Sequence, residues 1–516
     1  MKGRFSYSSV SWDLYSVAAI FLAFVFVLLN WESFPRFVDV FHYLLSAVGY
    51  EKAGGYVAHA FWEYAPVGRP NIYPPLVGIS LWGINALSCS RLFSIQLVSA
   101  ATPVVFLFFC WLAVRRLFDK RTAFWAVLFI FACPSFYASL SNNISGSWAI
   151  LFCLWGYVYL REKRNIWAVI FLTIGAYTHH FVSWIFTAAV LLEAFLGLKD
   201  KKDYLATLAF VFILAAPLWI FQISSLKYVR TIRPLENMFI EIKPLIYILS
   251  AIGAWYLIKK KRDTFFIAAA FLSLGLLCCY VYRFFSAQGL FFFVILAAVG
   301  FNWVFSRVEA LKIRPQRLIP VFLIFVLFLS LISPTILIDR MQHRIDLYMM
   351  DSVLGEDIFL QASKRIYKEC FVRRPILELA EFVEKNTKDT DIIYSNAYMM
   401  AVGLGALSGR VTSSALAREV KPYRGFDSIG SSRIIAWFKF AEVLYKKEDA
   451  AFKGVVSRYR LRKLKETPVA YIMENSSARA KLTIPSAILD SRSILAIFVC
   501  LILGFLFSGY YYKKRA

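Results

Sequence analysis

The feature that most constrains this chain is the recurrence of apolar runs long enough to cross about 30 Å of hydrocarbon. They lie near 16–30, 94–113, 123–139, 146–160, 204–222, 244–258, 265–282, 287–305, 318–337 and 494–512. A further apolar region, 166–198, is interrupted by Thr178, His179 and His180, and its length suits two helices with those polar residues at the turn. The sum is about twelve spans. Of the 516 residues 59% are apolar, 18% aromatic and only 18% charged. That balance excludes a soluble globule and fits an α-helical polytopic membrane protein. Trp31, Glu32 and Phe34 follow the first run in place of small residues, so it reads as a retained span and not as a cleaved signal.

A formal charge of +25 raises the question of a polyanionic partner, but the basic residues cluster in short segments between apolar runs. Such clusters orient spans, so topology explains the charge and no nucleic-acid partner is expected. Eight cysteines form neither a disulfide framework nor a Cys/His zinc spacing. The segment 76–88, "LVGISLWGINALS", is short for a crossing. If it does not cross, one side of the membrane collects Lys2 and Arg4, "RRLFDKR" (115–121), "REKR" (161–164), "KDKK" (199–202), "KKKR" (259–262), Arg307 to Arg317 and "KKR" (513–515). The positive-inside rule makes that side cytoplasmic, with both termini. The loop 31–93, the short loops at 140–145, 178–181 and 282–287, and a polar block at 339–492 then face outward.

The expected organisation is a membrane domain over 1–338 that includes the loop 31–93, an outer α/β domain over 339–492, and a last span with a basic tail over 493–516. Within the outer block, "RPILELAEFVEKN" pairs proline at a helix start with apolar residues at helical spacing. "DIIYS" and "VAYIM" read as short strands.

The outward segments hold the candidate chemistry. In "SFPRFVDVFHYLLSAVGY" (Ser33 to Tyr50), Asp39 and His42 stand three residues apart on a short helix. An amphipathic helix at the membrane surface would carry both on its polar face. Alternatively, the carboxylate is a general base able to take a proton from an attacking hydroxyl. In "RPNIYPPL" (Arg69 to Leu76), three prolines bar regular helix and make a rigid loop. Arg69 there either pairs with a phosphate or faces lipid headgroups. His179 and His180 close a span on the outer side, as a solvated helix end or as ligands. Glu193 lies inside a span near its inner end and is expected to reach Lys199 or Lys201. "NIS" (143–145) and "NSS" (475–477) match the glycosylation acceptor pattern.

A retained first span, a long external loop with an early aspartate and nearby aromatics, "YPPL", and then a span ending in "RRLFDKR" together resemble the GT-C membrane glycosyltransferases. These include protein O-mannosyltransferases, aminoarabinose transferases of lipid A and oligosaccharyltransferase catalytic subunits. The resemblance covers most of the chain: "YVYRFFSAQGLFFF" (Tyr280 to Phe293) is similar to a late span that often carries an arginine, and the stretch from Glu378 to Arg410 to the opening of their outer domains. It implies a GT-C fold and transfer of a sugar from a polyprenyl-phosphate donor, dolichyl phosphate included, to a lipid, glycan or protein acceptor on the outer face, with inversion. Asp39 would be the catalytic base. Arg283 would stabilise the leaving phosphate, because guanidinium forks onto phosphate oxygens; Arg69, His179 and His180 are further phosphate-binding candidates.

Many GT-C enzymes carry a second acid in the next external loop, where this chain has "SLSNNISGSW" with Asn142 and Asn143. One carboxylate is a poor site for a hard divalent cation. Mg or Mn is therefore not certain as a cofactor, with His42, Glu51, Glu63 and Asn143 as substrate or metal candidates. The oligosaccharyltransferase motif WWDYG is absent, which argues against sequon-directed transfer to asparagine. A lipid or lipid-linked-sugar flippase is the alternative. Ion-coupled transport needs ionisable residues deep in the bilayer, and the spans have essentially none at mid-depth. A non-catalytic anchor would not need about twelve spans. The plasma membrane is the expected location.

Overall fold

The computed structural model describes residues 12–35, 39–196, 201–229, 237–241, 244–260, 264–279, 288–310, 334–339, 344–349, 374–416, 420–439, 448–478, 480–497 and 499. Its helices in chain order begin with α1 (Trp12–Leu29), α2 (Asp39–Ala53), α3 (Leu76–Ser88), α4 (Arg91–Leu117), α5 (Lys120–Phe131), α6 (Pro134–Asn142), α7 (Ile144–Arg161) and α8 (Asn165–Ala176). They continue with α9 (His180–Phe195), α10 (Lys201–Ser224), α11 (Pro244–Lys259), α12 (Phe265–Cys279), α13 (Leu290–Ala310), α14 (Arg374–Asn386), α15 (Tyr398–Ser408) and α16 (Glu448–Tyr459). The strands are β1 (Gly55–Tyr56), β2 (His59–Ala60), β3 (Arg69–Pro70), β4 (Asn237–Glu241), β5 (Pro334–Asp339), β6 (Arg344–Met349), β7 (Ile392–Ser395), β8 (Val411–Thr412), β9 (Ile434–Phe438), β10 (Arg462–Glu466), β11 (Ala470–Glu474) and β12 (Leu489–Asp490). The chain divides into two compact units, one of 1–37, 96–220 and 231–367, the other of 38–95, 221–230 and 368–516.

The first unit is helical. Among the described residues four helices are long and apolar enough to cross a membrane: α1, α4, α10 and the Leu290–Val308 part of α13. Shorter apolar helices fill in between, and the expected break of 166–198 falls where α8 ends and α9 begins. The run 123–139 is two helices, α5 and α6, because Pro134 has no N–H with which to continue the first of them. The twelve-span expectation is reached only in part: 318–333 and most of 494–512 lie outside the described residues, and 334–337 belongs to β5, in a small antiparallel β4–β5–β6 sheet.

Close helix contact in this unit comes from small residues. A Cβ on Gly253 of α11 would lie 2.0 Å from the Leu296 carbonyl of α13, and one on Gly300 would lie 2.1 Å from that of Leu249. Glycine lets the two backbones meet where lipid offers no hydrophobic drive to press them together. Ser250 adds a hydrogen bond across the pair, donating to Phe293 O at 2.7 Å.

Ion pairs show which helix ends lie together. Asp13, at the start of α1, pairs with Arg115 of α4 at 3.1 Å and with Lys120 of α5 at 3.0 Å. Arg116 pairs with Glu162 just after α7, and Arg161 with Glu193 of α9, each at 3.5 Å. The "RRLFDKR" and "REKR" turns therefore share one end of the helical unit with the start of α1. Glu193 meets Arg161 and the Tyr157 hydroxyl, which donates at 3.2 Å, while Lys199, one of the two lysines anticipated for it, lies outside the described residues.

The second unit is built on a mixed sheet of order β10–β11–β9–β7–β8. The first three strands run antiparallel, while β7 is parallel to both β9 and β8. "DIIYS" supplies β7 and "VAYIM" most of β11, and "RPILELAEFVEKN" is α14. That helix buries Ile376, Leu379, Ala380 and Val383, one face at helical spacing. Sequence assigned 31–93 to the membrane domain, but residues 38–95 belong to this unit. Thr412 N donates to Trp62 O and Ala65 N to Thr412 O, both at 2.9 Å, while Gly55 pairs with Asp490 across β1 and β12. Backbone hydrogen bonds between distant segments, invisible to periodicity, make the loop part of the sheet-bearing unit.

Candidate functional site

The chemistry-bearing residues of the first loop gather on α2 and on the hairpin β2–β3. Asp39 is in the first turn of α2, where the helix dipole favours an acid, and is partly exposed. His42, one turn on, is only 6% exposed and is no surface group of an amphipathic helix. Its Nδ1 lies 3.2 Å from Glu63 Oε1. Glu63 occupies the loop between β2 and β3 with no exposed surface, and Arg69, in β3, is 1% exposed. Arg69 Nε donates to Glu63 Oε2 at 2.8 Å, and its Nη2 donates to the same oxygen. The backbone N–H of Leu416 donates to Oε1 at 3.2 Å.

This network has a definite electrostatic state. Burial by itself would raise the Glu63 carboxyl, but the charges and hydrogen bonds of Arg69 and His42 outweigh it and hold the group at about 2, so Glu63 is a carboxylate. A carboxylate only accepts, so His42 Nδ1 carries the proton it shares with Glu63. His42 Nε2 is buried without a hydrogen-bond partner. Tyr73 completes the cluster, its ring 5.1 Å from that of His42 and 5.2 Å beneath the Arg69 guanidinium.

Local sequence explains the hairpin that brings these groups together. Gly68 has φ +71°, and a Cβ there would lie 2.2 Å from the His59 ring. Only glycine serves at that turn. Asn71 Nδ2 ties the proline segment to the Tyr50 hydroxyl at 3.1 Å and to Val57 O at 2.9 Å, and Gln222 Nε2 donates to Ile72 O at 2.8 Å. "RPNIYPPL" is thus a cross-bonded strut rather than only a turn. It leads into α3, whose 13 residues extend about 20 Å.

The other candidates fall elsewhere. Arg69, named as a phosphate-binding candidate, is 1% exposed and paired with Glu63. Glu51 lies 3.7 Å from Arg91, which also pairs with Glu384 at 3.2 Å. Asn143 caps α7 by accepting from Gly146 N at 3.2 Å. Asn475 of "NSS" is fully buried and donates to Ile429 O, so its amide is not an available acceptor for a glycan. His179 caps α9, its Nδ1 accepting from Val182 N at 3.4 Å, and stacks on His180 at 5.4 Å; His180 Nδ1 is buried and without a partner. Arg283 lies outside the described residues. Sequence reading named His42, Glu63 and Arg69 one by one but missed that they form one network, and it missed Leu416 altogether. No local signal links positions 353 residues apart.

A divalent cation needs several oxygen ligands. Glu63 already accepts from Arg69, His42 and Leu416, and no group of three or more His, Cys, Asp or Glu side chains able to hold a metal occurs among the described residues. This donor set does not fit Mg or Mn.

No protein-family model matches the sequence, and no curated protein matches it. Solved structures do. The archaeal oligosaccharyltransferase AglB from Archaeoglobus fulgidus, in complex with an inhibitory peptide and a dolichol-phosphate, aligns over 91% of this chain and 75% of its own, with TM-score 0.56 at 10% identity. ArnT from Cupriavidus metallidurans, bound to undecaprenyl phosphate, aligns over 91% of this chain and 99% of its own, with TM-score 0.54 at 13% identity. The chain has the GT-C fold. At such identity the likeness is one of fold, and the GT-C scaffold tells where to look for chemistry rather than which residues perform it. The Archaeoglobus enzyme in complex with Zn and sulfate aligns as well, over 89% of this chain and 73% of its own, with TM-score 0.53 at 12% identity. The segment between α1 and α4 supplies α2 and the Glu63 network, while the helical unit supplies the long apolar helices.

Proposed function

We propose that the protein is an integral membrane glycosyltransferase that moves a sugar from a polyprenyl-phosphate donor to a hydroxyl acceptor on the extracytoplasmic face, with inversion. The observation that carries this reading is the likeness, over 91% of this chain, to an oligosaccharyltransferase in complex with a dolichol-phosphate and to ArnT bound to undecaprenyl phosphate.

Asp39 is the base in this reading. Of the acids between α1 and α4, Glu63 is buried and saturated and Glu32 lies on the short turn right after α1, whereas Asp39 is partly exposed in the first turn of α2. Its carboxylate takes the acceptor hydroxyl proton as the acceptor oxygen bonds to the anomeric carbon. The bond from that carbon to the phosphate oxygen breaks, and the polyprenyl phosphate leaves with the electron pair. Arg283 is the candidate for the leaving phosphate, with His180, whose Nδ1 has no partner, as a second donor to it. Basic turns gathered at one end of the helical unit support an orientation with that end cytoplasmic; the plasma membrane is the expected location.

Reconstituted protein supplied with a polyprenyl-phosphate sugar should release sugar to an added acceptor. Asp39→Asn should slow turnover by about 10²-fold or more while leaving the unfolding midpoint in place. Undiminished turnover in that variant would remove Asp39 from the reaction. Lipid movement across the bilayer without any sugar release would favour the flippase.

A further inference from the structure

The helical unit contains a groove of about 720 Å³ on its surface, lined by the end of α9, the end of α11 and the first part of α12. That volume lies within the range of small-molecule sites, about 300–1,000 Å³. Leu192, Leu196, Ile258 and Phe271 line it and are among the exposed large apolar side chains. Thr264 contributes a buried hydroxyl that has no hydrogen-bond partner. Along α12 the lining runs from Thr264 to Gly275, about 16 Å at the helical rise. This is close to half of the roughly 30 Å hydrocarbon thickness, the depth of a single leaflet.

Charge marks one end of the groove. Ile258 is followed directly by Lys259 and Lys260, and α10 opens with Lys201 and Lys202 shortly after Leu196. Lys201 Nζ lies 4.9 Å over the Phe195 ring, and Lys259 Nζ lies 5.0 Å over that of Trp255. Each ammonium group is thus held at its own helix end, and the basic turn after Ile258 leads directly to Thr264; Ile258 and Thr264 both line the groove. An apolar trough one leaflet deep beneath a rim of lysines matches an acyl chain carrying an anionic headgroup.

We infer that this groove is a binding site for an anionic phospholipid of the leaflet facing the basic end, distinct from any polyprenyl donor. A zwitterionic lipid would fill the trough equally well but would gain nothing from the rim. The single-leaflet depth argues against a long polyprenyl chain.

Gly275 provides a clean probe, since a Cβ there would meet no atom within 4 Å, so a larger side chain enters the groove instead of the packing. The test is native mass spectrometry of the full chain in detergent, titrated with dioleoyl-phosphatidylglycerol, dioleoyl-phosphatidylcholine or undecaprenyl phosphate. Phosphatidylglycerol should be retained roughly tenfold or more tightly than phosphatidylcholine. Gly275→Leu should lose both lipids with an unchanged unfolding midpoint. Lys201→Gln combined with Lys259→Gln and Lys260→Gln should erase the preference between the two while keeping phosphatidylcholine. Equal retention of both lipids by the native protein, undiminished phosphatidylglycerol in Gly275→Leu, or displacement of phosphatidylglycerol by equimolar undecaprenyl phosphate would each overturn the assignment. Because sugar transfer is not the readout, failure here leaves the glycosyltransferase reading standing, and the reverse holds too.

Discussion

Charged side chains of the helical unit stay near helix ends: Asp13 meets Arg115 and Lys120, and even buried Glu193 is met by Arg161 from the end of α7. In the sheet-bearing unit, Glu63 and Arg69 are sealed off together, with His42 and a backbone N–H completing the shell. A membrane span tolerates charge where it can reach an interface. A water-facing domain can bury a charge deep inside once enough donors replace its hydration. The two units should therefore fail in different ways when charges are altered.

Removing one partner of the buried pair should have the largest effect. Arg69→Ala leaves Glu63 uncompensated and should cost about 3–5 kcal/mol, seen by hydrogen exchange as loss of protection in α2 and around Thr412. Glu63→Gln combined with Arg69→Met should recover most of it. Arg115→Ala, at a half-exposed pair of the helical unit, should cost no more than about 1 kcal/mol. Comparable losses from Arg69→Ala and Arg115→Ala would dissolve the contrast.

Acid should separate the units in the same direction. Glu63 sits at about 2 in the folded protein against an ordinary 4.5. Its depressed value means the folded state binds fewer protons, so its contribution is complete above about pH 4.5 and drains away as pH falls toward 2. Protection of α2 should fade across that window while α11 and α13, held by glycine contacts, keep theirs. An α2 that stays protected down to pH 2 would show that the carboxylate is not what holds it.

Smaller effects come from the caps. Gly409, at φ +67° after α15, faces the Arg91 guanidinium where a Cβ would sit. Gly409→Ala should cost about 1–2 kcal/mol in the sheet-bearing unit, measured by denaturant titration followed on α15 exchange. Asn143→Ala removes the α7 cap of the helical unit and should cost about 1 kcal/mol, readable as faster exchange at Ser145 to Ser147. A larger loss there would mean that Asn143 does more than cap.

Much of the helical unit could be read directly. Runs such as 146–160 and the break at Thr178 to His180 follow from a bilayer that rejects unpaired polar groups, so one-dimensional hydropathy carries the answer. The split of 123–139 was not read, since the run was counted as one span, although Pro134 is its cause. In the sheet-bearing unit α14, β7 and β11 were recognisable from their local pattern. The membership of 38–95 was not, since it depends on backbone hydrogen bonds to residues about 350 positions away.

By itself, then, the sequence determined that the chain is a helical membrane protein, and where many of its apolar helices lie. Those properties come from solvent preference, which each short segment expresses alone. Only the tertiary structure decided that Arg69 pairs with Glu63, that His42 is interior, and that the first loop belongs with the distant sheet. Pairing of buried charges is a matter of which groups are within a few ångströms, and no local pattern records that distance.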